Sequence, residues 1–402
     1  MKSMNVPFYR HPLDGGHAAH IAKVLDSMIL TSGNVGREIE AQICEFFEVP
    51  HALLTNSWTN GCIATLLALE IGDGDEVIVP AMTFIASSNV VELVGARPVF
   101  VDVDPGTLLM RPEAVRDALT SATRAVMPVH IYGQMVDMRA LGDVLANRPD
   151  VAIIEDCAHC FEGSRSGVKP GALSTAALFS FYATKNVTCG EGGAIIARDP
   201  KLVEKLEQTR LHGMSAGAID RYRKGSYRHW DMFRLGTKAN LPDLLAALLP
   251  PQISTIRERL AERESQCQRY ERAFESTPLR LVENVPDAVS ARHLFPIHVS
   301  PAIRDEFIAG LNSSGVGATV NFRSVPTLTY YKEKYGYGPD SFPESFEWGN
   351  GTISLPMFPG LTEIEQEYVI QTVLRYVNEL VEEGSVLESG AAQHANELSG
   401  TD

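Results

Sequence analysis

Short apolar runs alternate with amphipathic segments along the first 240 residues of the chain. Strands alternating with helices predict a mostly parallel sheet with helices on both faces, an α/β fold. The interval between 181 and 193 is short and rich in glycine, which predicts one antiparallel neighbour in the sheet. The predicted strands are residues 53–57, 74–80, 98–102, 125–130, 151–155, 176–181 and 193–197. The predicted helices are 36–48, 58–70, 84–95, 111–119 and 137–146.

The pattern changes after about residue 240. Residues 242–276 carry many charges and predict one long, interrupted helix. Beyond it, strands at 291–299 and 317–323 mix with helices at 301–313 and 362–381, which predicts a smaller α+β domain. We therefore expect a large α/β domain at 1–245 and a small domain at 246–382. The tail, 383–402, lacks apolar periodicity and is predicted to be disordered.

Composition and charge exclude several classes of protein. Of 402 residues, 45% are hydrophobic and 21% are charged, as in an ordinary globular chain. The formal net charge is −15, with 35 basic and 50 acidic residues, which argues against binding of nucleic acid. No apolar run approaches the roughly 20 residues of a membrane span. The N-terminus lacks the apolar core of a signal peptide, so we expect a cytoplasmic protein with no membrane partner.

Two polar side chains stand at predicted strand ends. Lys185 follows the strand 176–181 in a polar turn, and Asp156 directly follows the strand 151–155. In a parallel sheet both ends open onto the edge where ligands bind. An amine and a carboxylate there suit pyridoxal phosphate (PLP), in which the lysine forms a Schiff base and the acid pairs with the pyridine nitrogen. The alternative is a surface lysine beside a glycine-rich loop at 190–193.

A phosphate site is predicted where residues 56–61 join a strand to a helix. Free N–H groups and the helix dipole favour an anion at such a point. The hydroxyls of Ser57, Thr59 and Ser180 can add hydrogen bonds. The alternative is an ordinary helix cap.

Two ring side chains are candidates for contact with the same cofactor. His159 lies three residues after Asp156 and can meet the pyridine ring or its phenolic oxygen. Phe84 follows the strand that ends at Pro80 and can stack on the ring. The alternatives are a packed histidine and a core phenylalanine.

Cys157 and Cys160 form a Cys-x-x-Cys pair beside His159, which leaves a redox or zinc site as an alternative. A tetrahedral site needs four ligands, and the six cysteines contain no second pair of this kind. We therefore expect no metal, and two small packing residues in a reducing compartment. Residues 236–243, with Lys238 and Asn240, form a polar loop that either binds an anion or caps a helix.

Several ordered motifs together resemble the DegT–StrS family of PLP-dependent nucleotide-sugar aminotransferases, over about residues 5–380. The resemblance implies an aspartate-aminotransferase-like fold, PLP fold type I. It also implies a homodimer with active sites at the interface. The motifs are residues 72–80, 95–104, 128–133, 155–159, 179–185 and 190–193.

The resemblance also implies roles for individual residues. Lys185 forms the Schiff base, and Asp156 pairs with the pyridine nitrogen. His159 lies on the phenolic side, where most family members have glutamine. The remaining implied contacts are ring stacking by Phe84, and phosphate binding by Thr59, Asn60, Ser180 and, from the neighbouring subunit, Asn240.

Within the family, the chain resembles most the enzymes that aminate C4 of UDP-linked 4-keto sugars, the 4-amino-4-deoxy-arabinose type. The resemblance lies in residues 237–243, 321–327 and 354–359, together with the histidine at 159. Trp58 and Pro326 depart from that pattern. The implied reaction moves an amino group from L-glutamate, leaving 2-oxoglutarate, to the keto carbon of a nucleotide-linked sugar, with C4 favoured.

Other functions remain open on the same fold. Amination of a 3-keto sugar is one, and C3 dehydration is another, although dehydratases of the family carry histidine in place of the lysine. A non-enzymatic PLP-binding regulator is the alternative of a different class. Candidates for contact with the substrate are His130, Arg234, Lys238 and the segment 321–331, which includes Tyr331.

Overall fold

The computed structural model describes residues 4–215 and 229–382, which contain a central seven-stranded sheet, a second, three-stranded sheet and a two-stranded pair of Ser164–Arg165 and Ala288–Val289. Its strands are β1 (His51–Thr55), β2 (Glu76–Pro80), β3 (Arg97–Val101), β4 (Thr123–Val126), β5 (Ala152–Asp156), β6 (Ser164–Arg165), β7 (Ala176–Ser180), β8 (Gly193–Ala197), β9 (Arg280–Leu281), β10 (Ala288–Val289), β11 (Phe295–His298) and β12 (Thr352–Leu355). The helices are α1 (Gly15–Leu25), α2 (Asn34–Phe47), α3 (Trp58–Ala68), α4 (Ala86–Leu93), α5 (Pro112–Ala118), α6 (Met138–Val144), α7 (Pro200–Thr209), α8 (Asp243–Ala246), α9 (Pro250–Ser254), α10 (Ile256–Phe274), α11 (Arg304–Ser313), α12 (Thr329–Tyr335), α13 (Pro343–Gly351) and α14 (Glu363–Glu382).

The large sheet has the strand order β1-β8-β7-β5-β4-β2-β3. Strands β3, β2, β4, β5 and β7 run parallel, and β8 pairs antiparallel with both β7 and β1. The predicted mostly parallel α/β sheet and its antiparallel neighbour are therefore confirmed. The order of the strands brings the carboxyl ends of β5 and β7 side by side.

Three apolar cores cover the two faces of the large sheet. One lies against α3 and α4 and includes Trp58 and Leu66, and another lies around α5 and α6 and includes Leu141. The third lies between α2 and strands β1, β8 and β7 and includes Phe47 and Phe179. Strands β2 and β5 are buried almost throughout, so their side chains divide between these two faces. This double covering leaves the strand ends as the accessible edge.

The three-stranded sheet has the order β12-β11-β9 and packs against α10, α11 and α14. Val6, near the start of the chain, belongs to its core. The segment that contains Val325, Tyr331 and Phe342 instead packs into a core of the large sheet. The division at residue 245 thus stays a prediction, because chain segments from both sides of it share cores.

Several local predictions differ from the structure. Residues 317–323 form no named strand; Thr319 makes one isolated bridge to Ser354. The long, interrupted helix predicted at 242–276 is three helices, α8, α9 and α10, and the proline pair at the start of α9 accounts for the interruption before it, since proline has no backbone donor. The pattern missed α1, α7, α12, α13 and β12, and the predicted disordered tail lies outside the described residues.

No helix within residues 4–215 or 229–382 combines the length and the apolar composition that a bilayer crossing requires.

Candidate active site

A cavity of about 440 Å³ opens at the carboxyl ends of β5 and β7. It brings together most of the side chains that the sequence predicted for one cofactor site. Those that line it are Thr59, Phe84, Asp156, His159, Ser180 and Lys185.

Asp156, the last residue of β5, is a buried carboxylate with both oxygens engaged. Its Oδ2 atom accepts a hydrogen bond from the Ser87 hydroxyl at 2.9 Å, and Oδ1 accepts one from the Ala158 amide at 3.0 Å. Burial raises the pKa of Asp156, while the two hydrogen bonds and the nearby Lys185 act in the opposite direction. A cationic ligand group that faced Asp156 would stabilise its ionised form further.

Lys185 lies in the turn after β7, where its amide donates to the Tyr182 carbonyl at 2.9 Å. Burial lowers the pKa of its ammonium group to about 8, against the opposing attraction of Asp156. The ammonium form still predominates at pH 7, but the neutral amine is far more accessible than in an ordinary lysine. Such an amine is a nucleophile and a proton acceptor, unlike an ordinary surface lysine.

His159 has a defined tautomer. Its Nδ1 atom accepts a hydrogen bond from the Tyr132 amide at 3.1 Å. Burial, with smaller effects from Lys185 and His293, holds the pKa of His159 well below its usual value, so the ring is neutral. Because Nδ1 is an acceptor, the proton must lie on Nε2, and His159 offers a hydrogen-bond donor to the cavity.

The N-terminus of α3 forms the phosphate end of the cavity. The Ser57 hydroxyl caps this helix by accepting from the Asn60 amide at 3.0 Å. The amides of Trp58 and Thr59, in the first turn, have no acceptor within the helix and suit an anion. A Cβ atom on Gly193 would lie only 2.8 Å from the Trp58 amide nitrogen, so glycine lets β8 approach this turn. A side chain there would displace the anion-binding turn.

Phe84 lies over the cavity with 53% of its side chain exposed. Its ring centroid is 5.7 Å from that of Phe322, which also lines the cavity. An exposed aromatic ring beside a polar cavity suits stacking on a flat ligand better than a place in the core.

Three predicted residues do not reach the cavity. Asn60 turns away, since its amide is used by Ser57 and its side-chain amide donates to Asn56. His130 is fully buried between Glu155, at 2.7 Å, and the Val136 amide, at 3.2 Å. Tyr331 is buried in the core of the large sheet and donates to Asn89 at 2.7 Å. Direct contact with phosphate or substrate is therefore not supported for these side chains.

Three further predicted residues lie on another surface. Asn240 donates to the hydroxyls of Thr31 and Ser32 at 3.0 and 2.9 Å and lines a different cavity. Lys238 is exposed and hydrogen-bonds to Asn240. Arg234 donates to Gln208 at 2.7 Å. None of the three lines the cavity of Lys185 in its own chain.

Sequence reasoning missed His293, which also lines the cavity, whereas Asn321 and Phe322 belong to the segment 321–331 that was predicted to contact the substrate. His293 lies just before β11, and the other two lie in the segment predicted as a strand. The residues come from the chain beyond 290, more than 100 positions from Lys185. No local spacing connects His293 to the motifs, so only the tertiary structure identifies it.

The Cys-x-x-Cys pair is not built as a redox or metal site. Both thiols are buried, and burial raises their pKa values well above the usual range. The Cys160 thiol donates to the Gly133 carbonyl at 3.3 Å. His130, Glu155 and Cys157 are the one group in the described residues with metal-ligand spacing, and the first two already hydrogen-bond each other. Glu155 also accepts from the Gly171 amide at 2.8 Å, so hydrogen bonds within the fold already satisfy the carboxylate of this group.

The donor set of the cavity fits PLP. An amine with a lowered pKa stands near a carboxylate that favours a cationic partner, as the aldehyde and the pyridine nitrogen require. A donor from His159, an exposed aromatic ring and the free amides of α3 suit the phenolic oxygen, the ring face and the phosphate. The fit depends on side chains from four separate loops.

Comparison with known proteins agrees with this geometry. A model of the DegT/DnrJ/EryC1/StrS aminotransferase family matches residues 13–374. Spr1654 from Streptococcus pneumoniae, described as a sugar aminotransferase and solved in PLP and PMP forms, is 27% identical in its PMP form, with a TM-score of 0.88 over 94% of this chain and 100% of that one. DesV from S. venezuelae, solved in complex with a ketimine intermediate, is 31% identical, with a TM-score of 0.85 over 93% of this chain and 98% of that one. A family member from Brucella abortus is 28% identical, with a TM-score of 0.80 over 90% of this chain and 95% of that one.

Proposed function

The chain belongs to the DegT/DnrJ/EryC1/StrS aminotransferase family, a PLP-dependent family of fold type I, and we propose that it aminates a nucleotide-linked keto sugar. L-Glutamate gives the amino group and leaves as 2-oxoglutarate, and the acceptor is a keto carbon, with C4 as the favoured position. The observation that carries this proposal is the shared cavity of Lys185 and Asp156, with the anion-binding end of α3 beside them.

PLP supplies the electron sink that stabilises negative charge on the carbon losing its proton. Lys185 would hold the cofactor covalently and, as a free amine, would accept and return the proton of the substrate carbon. Its lowered pKa, about 8, supports this role because the neutral amine must be accessible near neutral pH.

Asp156 holds the pyridine nitrogen of the cofactor in its protonated form. The hydrogen bonds from Ser87 and Ala158 support the ionised carboxylate, and the Ser87 hydroxyl is itself 3.0 Å from that of Thr83. His159 donates from Nε2 to the phenolic oxygen. Thr59, Ser180 and the first-turn amides of α3 bind the phosphate.

A sugar substrate is supported by the relatives and by the open side of the cavity. Spr1654 is described as a sugar aminotransferase and covers nearly the same length of chain. Beyond the predicted cofactor contacts, the cavity is lined by Tyr182, Glu191 and Asn321, which offer hydroxyl, carboxylate and amide groups. Polar groups of these kinds suit the hydroxyls of a sugar ring. The preference for a UDP-linked 4-keto sugar rests on residues 237–243, 321–327 and 354–359.

A homodimer completes the proposal. Met232, Phe233 and Leu235 expose 57%, 62% and 71% of their surface, beside Lys238 and Asn240. Adjacent exposed apolar residues favour association, and a second copy explains why Asn240 lies outside the cavity of its own chain. Arg234, Lys238 and Asn240 are proposed to act at the partner's cavity. Sedimentation of the protein and of Leu235→Asp tests this: we expect a dimer that the substitution weakens, and a monomeric parent protein would contradict it.

The six cysteines are all free and five of them are buried, which supports a cytoplasmic location.

The test of function has two halves. The protein mixed with L-glutamate alone should lose its bound-cofactor absorption and release one 2-oxoglutarate per site. The aminated protein should then convert one of a panel of UDP-, dTDP- and GDP-linked 3-keto and 4-keto sugars to a product with the mass of an amino sugar. Lys185→Ala is the control without turnover. Formation of a dehydrated sugar, or no reaction of the parent protein with any amino donor, would contradict the proposal.

A further inference from the structure

His293, which sequence reasoning missed, stands at the end of a buried chain of side chains that reaches the cavity. Arg263, 1% exposed, pairs with Glu162 and donates from Nε to the Ala291 carbonyl at 3.2 Å. Asn186, the residue after Lys185, donates from Nδ2 to the Ala291 carbonyl at 2.8 Å and to Glu162 at 3.3 Å. The chain ends at His293, whose Nδ1 lies 3.0 Å from Oδ1 of Asn186.

This chain fixes the tautomer of His293. The partners of Asn186 Nδ2 are a carbonyl and a carboxylate, which only accept hydrogen bonds, so the amide orientation is determined. Asn186 Oδ1 is therefore an acceptor, and His293 Nδ1 must carry the proton. Burial, together with the charges of Lys185 and Arg263, holds the pKa of His293 well below its usual value. The neutral ring then has its lone pair on Nε2.

The two histidines at the cavity have opposite polarity. Their ring centroids are 4.3 Å apart, and both residues line the cavity. His159 presents an N–H group on Nε2, whereas His293 presents a lone pair on the same atom. Within the part of the chain that the structure describes, neither Nε2 atom has a hydrogen-bond partner, and neither is sealed from solvent.

We propose that Nε2 of His293 accepts a hydrogen bond from the free ε-amino group of Lys185 and positions it for proton transfer. Lys185 is close enough for its charge to influence both rings. Of the side chains that influence Lys185 or are influenced by it, Asp156 is engaged by the cofactor and His159 is a donor. Among these side chains His293 offers a neutral acceptor to the amine when the cofactor releases it; Glu191 and Asn321, which also line the cavity, are proposed to contact the substrate.

His293 is accordingly a positioning residue, because it acts through Lys185. The inference rests on the proposed role of Lys185 as the amine that carries the proton. It explains why Asn186, adjacent to that lysine in sequence, is tied to the deeply buried Arg263–Glu162 pair. The Arg263–Glu162 pair fixes the side-chain amide of Asn186. That amide orients the ring of His293, which in turn positions the amine of Lys185.

The test compares His293→Leu, which removes the acceptor, with His293→Gln, which keeps one. In the cofactor-free full-length protein, the pH dependence of reductive methylation at Lys185, read by peptide mass, gives the pKa of the amine. Because a neutral acceptor stabilises the ammonium form, we expect the pKa of Lys185 to fall in the leucine variant and to stay near the parent value in the glutamine variant. His298→Gln, a buried histidine outside the cavity, should leave the pKa unchanged.

A second readout uses the holoenzyme mixed with α-protonated and α-deuterated L-glutamate in a stopped-flow instrument. The leucine variant should be slower by about 10-fold or more, with a larger isotope effect, and the glutamine variant should recover most of the rate. Equal pKa values for Lys185 in all three proteins, or equal slowing in both variants, would overturn the proposal. The methylation experiment needs neither cofactor nor substrate, so its failure is distinct from a failure of the proposed function.

Discussion

Two adjacent acidic residues at the end of β5 differ in what their carboxylates face. Glu155 and Asp156 are both buried, and both accept two hydrogen bonds. Glu155 is 0% exposed and joins His130 to the Gly171 amide on one face of the sheet. Asp156 is on the other face and lines the cavity with His159. Alternation of side chains along a strand separates the two carboxylate–histidine pairs.

The comparison shows that a buried charge is not by itself a sign of function. The Glu155–His130 pair has its partners within the fold and no access to the cavity, so it organises the connections after β4 and β5. Asp156 lines the cavity and its pKa is raised by burial, so a cation that enters the cavity can stabilise the ionised carboxylate. Access, rather than burial or charge, distinguishes the proposed functional acid.

The largest expected effect comes from Asp156→Ala. Removing a carboxylate that pairs with a buried cationic group should reduce glutamate-dependent turnover by about 10²- to 10³-fold and weaken cofactor binding. The measurement is 2-oxoglutarate formation together with the visible absorbance that remains after dialysis. A variant that keeps both would remove the functional difference between the two acids.

Glu155→Ala tests the other side of the comparison. It leaves the Gly171 amide and His130 without their partner, so we expect a loss of about 2–5 kcal/mol in the free energy of unfolding. Chemical denaturation of the cofactor-free protein measures this loss. At a temperature where the variant is folded, the proton-transfer rate with glutamate should stay within about tenfold of the parent. Loss of that rate with full stability would reverse the assignment of the two acids.

The pH dependence of stability should also differ at Asp156. Its pKa is raised in the folded protein, so folding favours its protonated form. This contribution is fully present below the unfolded pKa of about 3.9 and is lost as the pH rises through the higher folded value. The stability of Asp156→Asn relative to the parent, measured by denaturation without cofactor, should therefore increase across that interval. A relative stability that is constant or decreases with pH would contradict the burial argument.

His159→Gln should have a smaller effect, because a side-chain amide can also donate to a phenolic oxygen. We expect activity within about tenfold of the parent, whereas His159→Leu, which removes the donor, should lose more. A titration of the visible absorption of the bound cofactor checks whether the donor is present. If glutamine and leucine give the same spectrum and rate, His159 has no donor role.

The smallest expected effect is that of Ser87→Ala, since the Ala158 amide still supports Asp156. Loss of one of the two hydrogen bonds to the carboxylate should weaken cofactor binding by only about 2- to 5-fold. Equilibrium titration of the cofactor-free protein measures it. Thr65→Ala, which removes a buried hydroxyl that donates to a carbonyl of its own helix at 2.8 Å, is the matched control and should leave affinity unchanged.

Local pattern predicted the parts of the fold and site that depend on local sequence. The apolar runs that end at Asp156 and at Ser180 are continuous strands, so their positions, and that of Lys185 just beyond, could be predicted. The pattern did not tell on which face of β5 each acid lies, since both faces are buried and no alternation is visible. His130 was likewise predicted to contact the substrate, but it lies with Glu155 on the face of the sheet that is turned away from the cavity.

The remaining site residues depend on long-range packing. Tyr331 packs against Phe100 in the core of the large sheet, and no property of residues 329–335 alone predicts this contact. His293 reaches the cavity from the chain just before β11, whereas Phe322 lies in the segment 321–331 that was predicted to contact the substrate. Such contacts join positions more than 100 residues apart, which neither periodicity nor spacing encodes.

The central claim is that Lys185 holds the cofactor covalently. Borohydride reduction of the purified, cofactor-loaded protein, followed by digestion and peptide mass analysis, tests it directly. We expect the peptide that contains residue 185 to carry the mass of a reduced pyridoxyl phosphate group. Any Asp156→Ala protein that still binds the cofactor should give the same labelled peptide. An unmodified Lys185 peptide, or the label on another lysine such as Lys238, would contradict the account.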